Sequence, residues 1–126
     1  MKVKYYDLEN KRVFITGGGS GIGASIVEHF CEQGSEVYFI DINISESEKL
    51  IENIKNKKYA IPTFIECDLQ NIKQLQKIIA DIIDQKGPID ILINNAANDT
   101  RHKIDDVTEE YWNERINVNL RHFFFT

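Results

Sequence analysis

KRVFITG, Lys11 to Gly17, is the first of four short apolar runs, followed by EVYFID (Glu36 to Asp41), IPTFIEC (Ile61 to Cys67) and IDILINNA (Ile89 to Ala96). A strand with one wet face alternates apolar and polar residues, whereas a strand covered on both faces reads as a near-continuous β-branched and aromatic run. All four runs are of the second kind, so the chain must supply cover above and below them. The segments in between do so with helical periodicity. Ile22, Ile26, Val27 and Phe30 form one predicted face, with Gly34 as the stop. Leu50, Ile51 and Ile54 form a second, opened by Ser45 and Glu48 at capping-box spacing. A third helix runs from about Leu69 to Lys86 with Ile72, Leu75, Ile79, Ile82 and Ile83 inward, closed by Gly87 and Pro88.

After the fourth strand a polar loop leads to Thr108, a cap for the last helix, with Glu109 and Glu110 at its positive end. Trp112, Ile116, Asn119 and Phe123 then recur at helical steps and predict a buried face with one amide in it. Strand and helix alternate throughout, so the expected fold is α/β with a doubly wound parallel sheet and right-handed crossovers. The expected order is β-α-β-α-β-α-β-α, in one unit over residues 1–126. No Gly, Asn or Pro follows Phe125 to end the last helix. The last helix therefore reads as cut short, in a chain of one domain's length or half of a larger one.

The stretch between the first strand and the first helix, TGGGSGIG (Thr16 to Gly23), carries the chemistry. Backbone N–H groups at a helix N-terminus hold a pyrophosphate, and a Cβ there would keep the backbone away from it. The pattern is Gly17-x-x-x-Gly21-x-Gly23. Asp41 closes the second strand at about the 20-residue distance at which an acid accepts hydrogen bonds from an adenosine ribose. Its charge repels a 2′-phosphate, and Ile42 and Asn43 offer no arginine to welcome one, so NAD is expected over NADP. Asp68 ends the third strand and Asn94-Asn95-Ala96-Ala97 the fourth, and ligands bind such sheets beyond the strands' carboxyl ends. Paired asparagines at a strand end also satisfy loop backbone groups, and that structural role stands beside the binding one.

Other classes are excluded by simpler features. A net charge of −5 leaves no basic surplus for phosphate backbones, so no nucleic-acid partner is expected. The charged start MKVKYYDLENKR has no apolar core, and no run approaches a membrane span. Cys31 and Cys67 form no CxxC and read as small buried hydrophobes, which with the missing export signal suits a reducing cytoplasm. His29, His102 and His122 form no ligand set, and surface or loop roles are expected of them. No metal site is expected.

Together these residues resemble the short-chain dehydrogenase/reductase family. The resemblance rests on Thr16-Gly17-x-x-x-Gly21-x-Gly23, Asp41, Cys67-Asp68-Leu69, Asn94-Asn95-Ala96-Ala97 and Val118-Asn119-Leu120, in order along nearly the whole chain. The family often has Gly where Ala97 stands. The stretch from Asn94 to Phe124 looks more particularly like bacterial NAD-dependent sugar 1-dehydrogenases of the xylose and aldose type. The resemblance implies a Rossmann-like sheet in which Gly17, Ser20, Gly21, Ile22 and Gly23 line the pyrophosphate. It implies Asp41 on the adenosine ribose, Asp68 and Leu69 on the adenine, and Asn95 and Ala96 along the cofactor between its riboses. Asn119 matches the family's catalytic asparagine, which supports a water in a proton relay. The rest of that relay is a serine and a Tyr-x-x-x-Lys, and none of the five tyrosines has a lysine four residues on.

Two functions follow as expectations. In the first, the chain is the NAD-binding portion of an oxidoreductase that converts an aldose or other alcohol, and is inactive alone. In the second it is a non-catalytic nucleotide-binding or interaction module. Either way the fourth strand should be an open apolar edge, and it and Phe123, Phe124 and Phe125 are expected to drive self-association.

Overall fold

In the computed structural model, which describes residues 3–126, the four apolar runs form one parallel sheet. Its strands are β1 (Arg12–Thr16), β2 (Glu36–Asp41), β3 (Thr63–Glu66) and β4 (Ile91–Asn94), in the spatial order β3-β2-β1-β4. Register pairs Val13 with Val37 on one side and with Ile91 on the other. Successive side chains of β1 and β2 go to opposite faces, and each face builds its own core. Val13, Ile15, Val37 and Phe39 pack with Val27, Cys31, Leu50 and Ile54, from helices α1 (Gly21–Glu32) and α2 (Ile44–Asn56). Phe14, Tyr38 and Ile40 pack on the other face with Leu75 and Ile82 of α3 (Ile72–Lys86) and with Cys67, Leu69 and Ala96. This is the doubly wound sheet expected. Its strand order reverses between β1 and β4, which opens a crevice beyond their carboxyl ends.

The helix starts differ from the sequence reading in informative ways. α2 begins at Ile44, and its cap is Asn43, whose side chain accepts from the Glu46 amide at 3.1 Å, rather than Ser45. α3 begins three residues later than expected, because Asn71 accepts from Gln74 N at 3.1 Å and stops the helix from reaching back to Leu69. Ile83 is exposed; Ile78, with Ile72 and Ile79, packs against the core instead. Both thiols are buried and unpaired as expected, and burial pushes Cys31 up to about 12 and Cys67 to about 11.

The C-terminal region departs most. α4 (Glu109–Ile116), capped by Thr108 as expected, runs through a π-helical turn (Asn117–Arg121) into α5 (His122–Phe125). Three of the four residues of the predicted inward stripe point out, with Trp112 61% exposed, Ile116 40% and Phe123 43%, whereas Asn119 faces in as expected. The inward side is polar, with Asn119 joined by Arg115 and His122, each one residue before a stripe position; Arg115 and Asn119 are half-buried and His122 fully buried. Each of these three finds hydrogen-bond partners on that side, which a buried polar group requires. Polar satisfaction thus outweighs the burial of the stripe.

Candidate functional site

The chain leaves β1 at Thr16 and crosses toward β2. Gly17 N and Gly18 N both donate to the Ile40 carbonyl, at 2.8 and 3.2 Å, and Gly19 N donates to Asp41 Oδ2 at 2.9 Å. The loop therefore lies flat on the carboxyl end of the sheet. Its glycines are needed for different reasons. A Cβ on Gly23 would sit 1.9 Å from the Gly17 carbonyl oxygen, so α1 can start against this loop only without one. A Cβ on Gly17 would sit 2.7 Å from Ala96 Cα, which is how closely the fourth strand's end approaches. Gly21, at φ +54°, has nothing within 4 Å of its absent Cβ, so its backbone faces open space.

That space is a cleft of about 690 Å³ over the reversal of strand order. Of the residues singled out in the sequence, Gly17, Ser20, Gly21, Ile22, Gly23, Asp41, Asp68, Leu69, Asn95 and Ala96 all line it. Ile22 had been placed on the inward face of the first helix; it is 76% exposed and faces the cleft. Asn119 does not line it, although Val118 and Glu114 do. Ser20 takes the capping position of α1 with extended backbone but makes no side-chain cap, whereas α2, α3 and α4 each have theirs. The first-turn amides of α1 are thus left for something in the cleft.

Asp41 already works within the protein, accepting from Gly19 N through Oδ2 and from Asn43 N through Oδ1, each at 2.9 Å. A carboxylate has about four acceptor positions, so capacity for two ribose hydroxyls remains. Asp68 accepts from Gln70 N at 2.9 Å and is exposed. Asn95 turns its amide inward: Nδ2 donates to the carbonyls of Thr16 (3.1 Å) and Gly17 (2.9 Å). It holds the loop, so the structural role weighed for the paired asparagines is present. Asn119 has both ends of its amide on one residue, Oδ1 accepting from Asn98 N at 2.6 Å and Nδ2 donating to Asn98 O at 3.0 Å. It fixes the backbone of the segment after β4 at the cleft's edge, and Arg115 Nη1 adds a third bond to that backbone by donating to Asn98 O at 3.2 Å. It does so from a π-helical turn, a form found often at functional sites.

The residue that joins these parts is Thr16, which the sequence placed in the motif without a role. Thr16, fully buried, accepts from the amides of Asn95 (3.0 Å) and Ala96 (3.1 Å) through Oγ1. The same oxygen lies 3.2 Å from Nε2 of His122, whose Nδ1 is 2.6 Å from the Val118 carbonyl. Burial lowers the His122 pKa, with the Val118 carbonyl pulling the other way. No sequence signal distinguished His122 from a surface histidine beside three phenylalanines. Tyr111 also makes contacts near the loop at the cleft's edge: its hydroxyl meets exposed His102 Nδ1 at 2.6 Å, and the Arg115 guanidinium lies 4.5 Å from its ring centre. Among the described residues two buried polar atoms lack a partner, Asn94 Oδ1 and Arg115 Nε, one at the end of β4 and one on α4. No group of three or more metal-ligating side chains occurs among the described residues, and no helix there is long and apolar enough to cross a membrane.

The donor set fits a dinucleotide: unpaired helix-start amides for a pyrophosphate, a carboxylate for a ribose, and apolar Leu69 and Ile22 for flat rings. Comparison with known proteins gives the same direction. A family model described as short chain dehydrogenase matches residues 11–126. A D-xylose 1-dehydrogenase of Caulobacter vibrioides is 48% identical over 96% of this chain and 47% of its own length. The chain thus spans about half the length of the curated relatives it matches. Among solved structures, an aldohexose dehydrogenase from Thermoplasma acidophilum is 31% identical at a TM-score of 0.79, covering 96% of this chain and 43% of that one. A short chain dehydrogenase from Mycobacterium smegmatis superposes with a TM-score of 0.84 over 97% of this chain and 50% of that one, at 22% identity, which speaks for the fold alone.

Proposed function

The chain belongs to the short-chain dehydrogenase family, and from that premise we propose that it is the NAD-binding portion of a sugar dehydrogenase. The observation that carries this reading is the uncapped first turn of α1, opening on a cleft that has Asp41 on its rim. In it, the amides of Gly21, Ile22 and Gly23 hold the pyrophosphate and Asp41 takes the adenosine ribose. Asp68 and Leu69 flank the adenine. When bound, NAD supplies the hydride acceptor. Asn95 and Ala96 lie on the β1–β4 side of the cleft and would run along the cofactor between its riboses. The relatives' names favour an aldose as substrate, with oxidation at its anomeric carbon giving a lactone. Asn119 is the residue of the relay that this chain carries; the serine and Tyr-x-x-x-Lys that complete it in the family are not among its 126 residues. The 126-residue chain therefore binds the dinucleotide and does not itself turn over sugar. Calorimetry with NAD and with ADP-ribose tests the first part, and absence of heat with both would sink it. Reduction of NAD by this chain with D-xylose or another aldose would overturn the second.

Asp41 sets the choice of cofactor in this reading. Asp41→Ala is expected to weaken NAD about tenfold or more, the loss of hydrogen bonds to a charged group at roughly 1.5–3 kcal/mol. The change also removes the brace on Gly19 N, so weaker binding alone is ambiguous. The informative quantity is the ratio of NADP to NAD affinity. It should rise once the charge that repels a 2′-phosphate is gone, and an unchanged ratio would remove Asp41 from the site.

We also infer self-association of the chain. β4 is an edge strand with Leu92 44% exposed, and α4 with its continuation exposes Trp112, Leu120 and Phe124, the last at 85%. Open ladder groups and a contiguous apolar helix face both favour pairing with a second copy. Light scattering across a concentration series should show mass rising above one chain; a concentration-independent monomer would refute this.

A further inference from the structure

We propose that His122 is a positioning residue for the dinucleotide loop, acting through the Thr16 hydroxyl as a clamp that holds only while its imidazole is neutral. The inference rests on the dinucleotide reading of the cleft and begins from a count of lone pairs. A threonine hydroxyl has one hydrogen to donate and two positions to accept. Both acceptor positions of Thr16 Oγ1 are taken by the amides of Asn95 and Ala96. Its one hydrogen is left for Nε2 of His122, 3.2 Å away, which must therefore be the unprotonated nitrogen. Nδ1 then carries the ring's hydrogen and donates it to the Val118 carbonyl at 2.6 Å. One tautomer satisfies every group.

The direction of this chain of bonds matters because of what it ends on. Asn95 and Ala96 are fixed by the hydroxyl that His122 orients, and Asn95 in turn holds the Thr16 and Gly17 carbonyls with its side chain. The Gly17 carbonyl is the surface against which Gly23 and the start of α1 are packed. A proton on Nε2 would face an oxygen with no free lone pair, and one of the two amides would have to be released. The ring has no charged neighbour to compensate. From β1 it meets the Thr16 hydroxyl, from the π-helical turn the Val118 carbonyl, and from α5 the Phe123 ring at 4.5 Å. α3, which packs against α5, carries Lys77 and Asp81 as a mutual ion pair on its outer side, and Arg121 lies over Phe125. Only burial and the Val118 carbonyl bear on its titration, and burial, the larger, favours the neutral ring.

The test has two arms. Nitrogen-15 spectra of His122 should show protonated Nδ1 and bare Nε2 near neutral pH. As the sample is acidified from about pH 8 to about pH 5, the amide signals of Asn95 and Ala96 should move with the His122 titration. The opposite tautomer, or amides that ignore that titration, would overturn the clamp without reference to any ligand. In the second arm NAD affinity is measured over the same range. It should fall by up to about tenfold per pH unit below the point where Nε2 takes a proton, as one coupled proton requires. His122→Gln, which offers a neutral acceptor at similar reach, should bind as the native chain does near pH 8 and lose this dependence. Parallel pH profiles for the two proteins would overturn the proposal while leaving the site reading intact. Failure of the native chain to bind NAD or ADP-ribose near pH 8 would defeat both. Should His122→Gln not fold, the spectra of the native chain decide.

Discussion

Gly23→Ala is expected to lower the melting temperature of the chain by about 10 °C and to remove the dinucleotide binding proposed for the cleft. One methyl group does this because of where it would go. The added Cβ falls 1.9 Å from the Gly17 carbonyl oxygen, 2.9 Å from the Gly17 carbonyl carbon and 2.6 Å from Asn95 Nδ2. Two of these are backbone atoms, which cannot rotate away. Either α1 lifts from the sheet, exposing Val27 and Cys31, or the Gly17 carbonyl swings out and gives up its bond from Asn95. Overpacking of this kind costs about 1–3 kcal/mol, occasionally more, and for a domain near this size each kcal/mol shifts the melting temperature by several degrees. Gly21→Ala is the matched comparison. Its methyl meets nothing, so it should weaken binding by standing in the cleft, with only the roughly 1–2 kcal/mol of left-handed backbone strain set against stability. Thermal denaturation and calorimetry on the two variants separate packing from binding. A Gly23→Ala chain that melts like the native one would mean that loop and helix are not in contact as described.

The contrast between these two glycines shows where sequence reasoning reached and where it stopped. Spacing located the loop and placed it between β1 and α1, because strand and helix periods differ and the change from one to the other is visible. β2 was read to its last residue for the same reason. Spacing could not say which glycine faces a neighbour and which faces the cleft. Ile22 shows the same limit. Helical periodicity marks an apolar side chain as facing away from water, and a cleft that holds a ligand can claim it as readily as a core. The starts of α2 and α3 were misplaced because Ser45 was taken for the cap in place of Asn43, and Asn71 fell inside the expected helix, although each asparagine caps its helix through a local hydrogen bond. The last helix failed more instructively. Its apolar stripe was visible and real, but Arg115, Asn119 and His122 together had more to gain by facing inward than Trp112, Ile116 and Phe123 did. That comparison depends on partners in β1 and the β4–α4 loop (residues 95–108), which no single segment of sequence reveals.

Thr16→Val should be nearly as damaging, although it changes one oxygen to carbon at almost constant volume. Thr16 is fully buried at the end of β1, and its Oγ1 has three partners: the amides of Asn95 and Ala96 and the imidazole of His122. Valine satisfies none of them. An orphaned buried polar group costs about 1–3 kcal/mol, so three of them remove roughly 3 kcal/mol or more. Native domains have about 5–15 kcal/mol in total, and the slightly better strand propensity of valine returns only tenths. Relief by solvent is slight, since His122 is itself fully buried. Thr16→Ser, which keeps the hydroxyl and loses a methyl, should cost no more than about 1 kcal/mol. Acid titration adds a second signature. The folded His122 has its pKa below the ordinary 6.5, principally through burial. The unfolded chain therefore takes up the proton first as pH falls. The contribution of the neutral ring is complete above pH 6.5 and is lost as pH falls through the lower, folded value. Native protein and Thr16→Ser should both lose stability as pH falls from 6.5 toward that lower value. In Thr16→Val the hydroxyl that required a bare Nε2 is gone, so the acid-side loss attributable to His122 should shrink. Denaturant melts of the three proteins near pH 7.5 and pH 5 measure both effects. Equal stability of Thr16→Val and Thr16→Ser would show that the hydroxyl holds nothing.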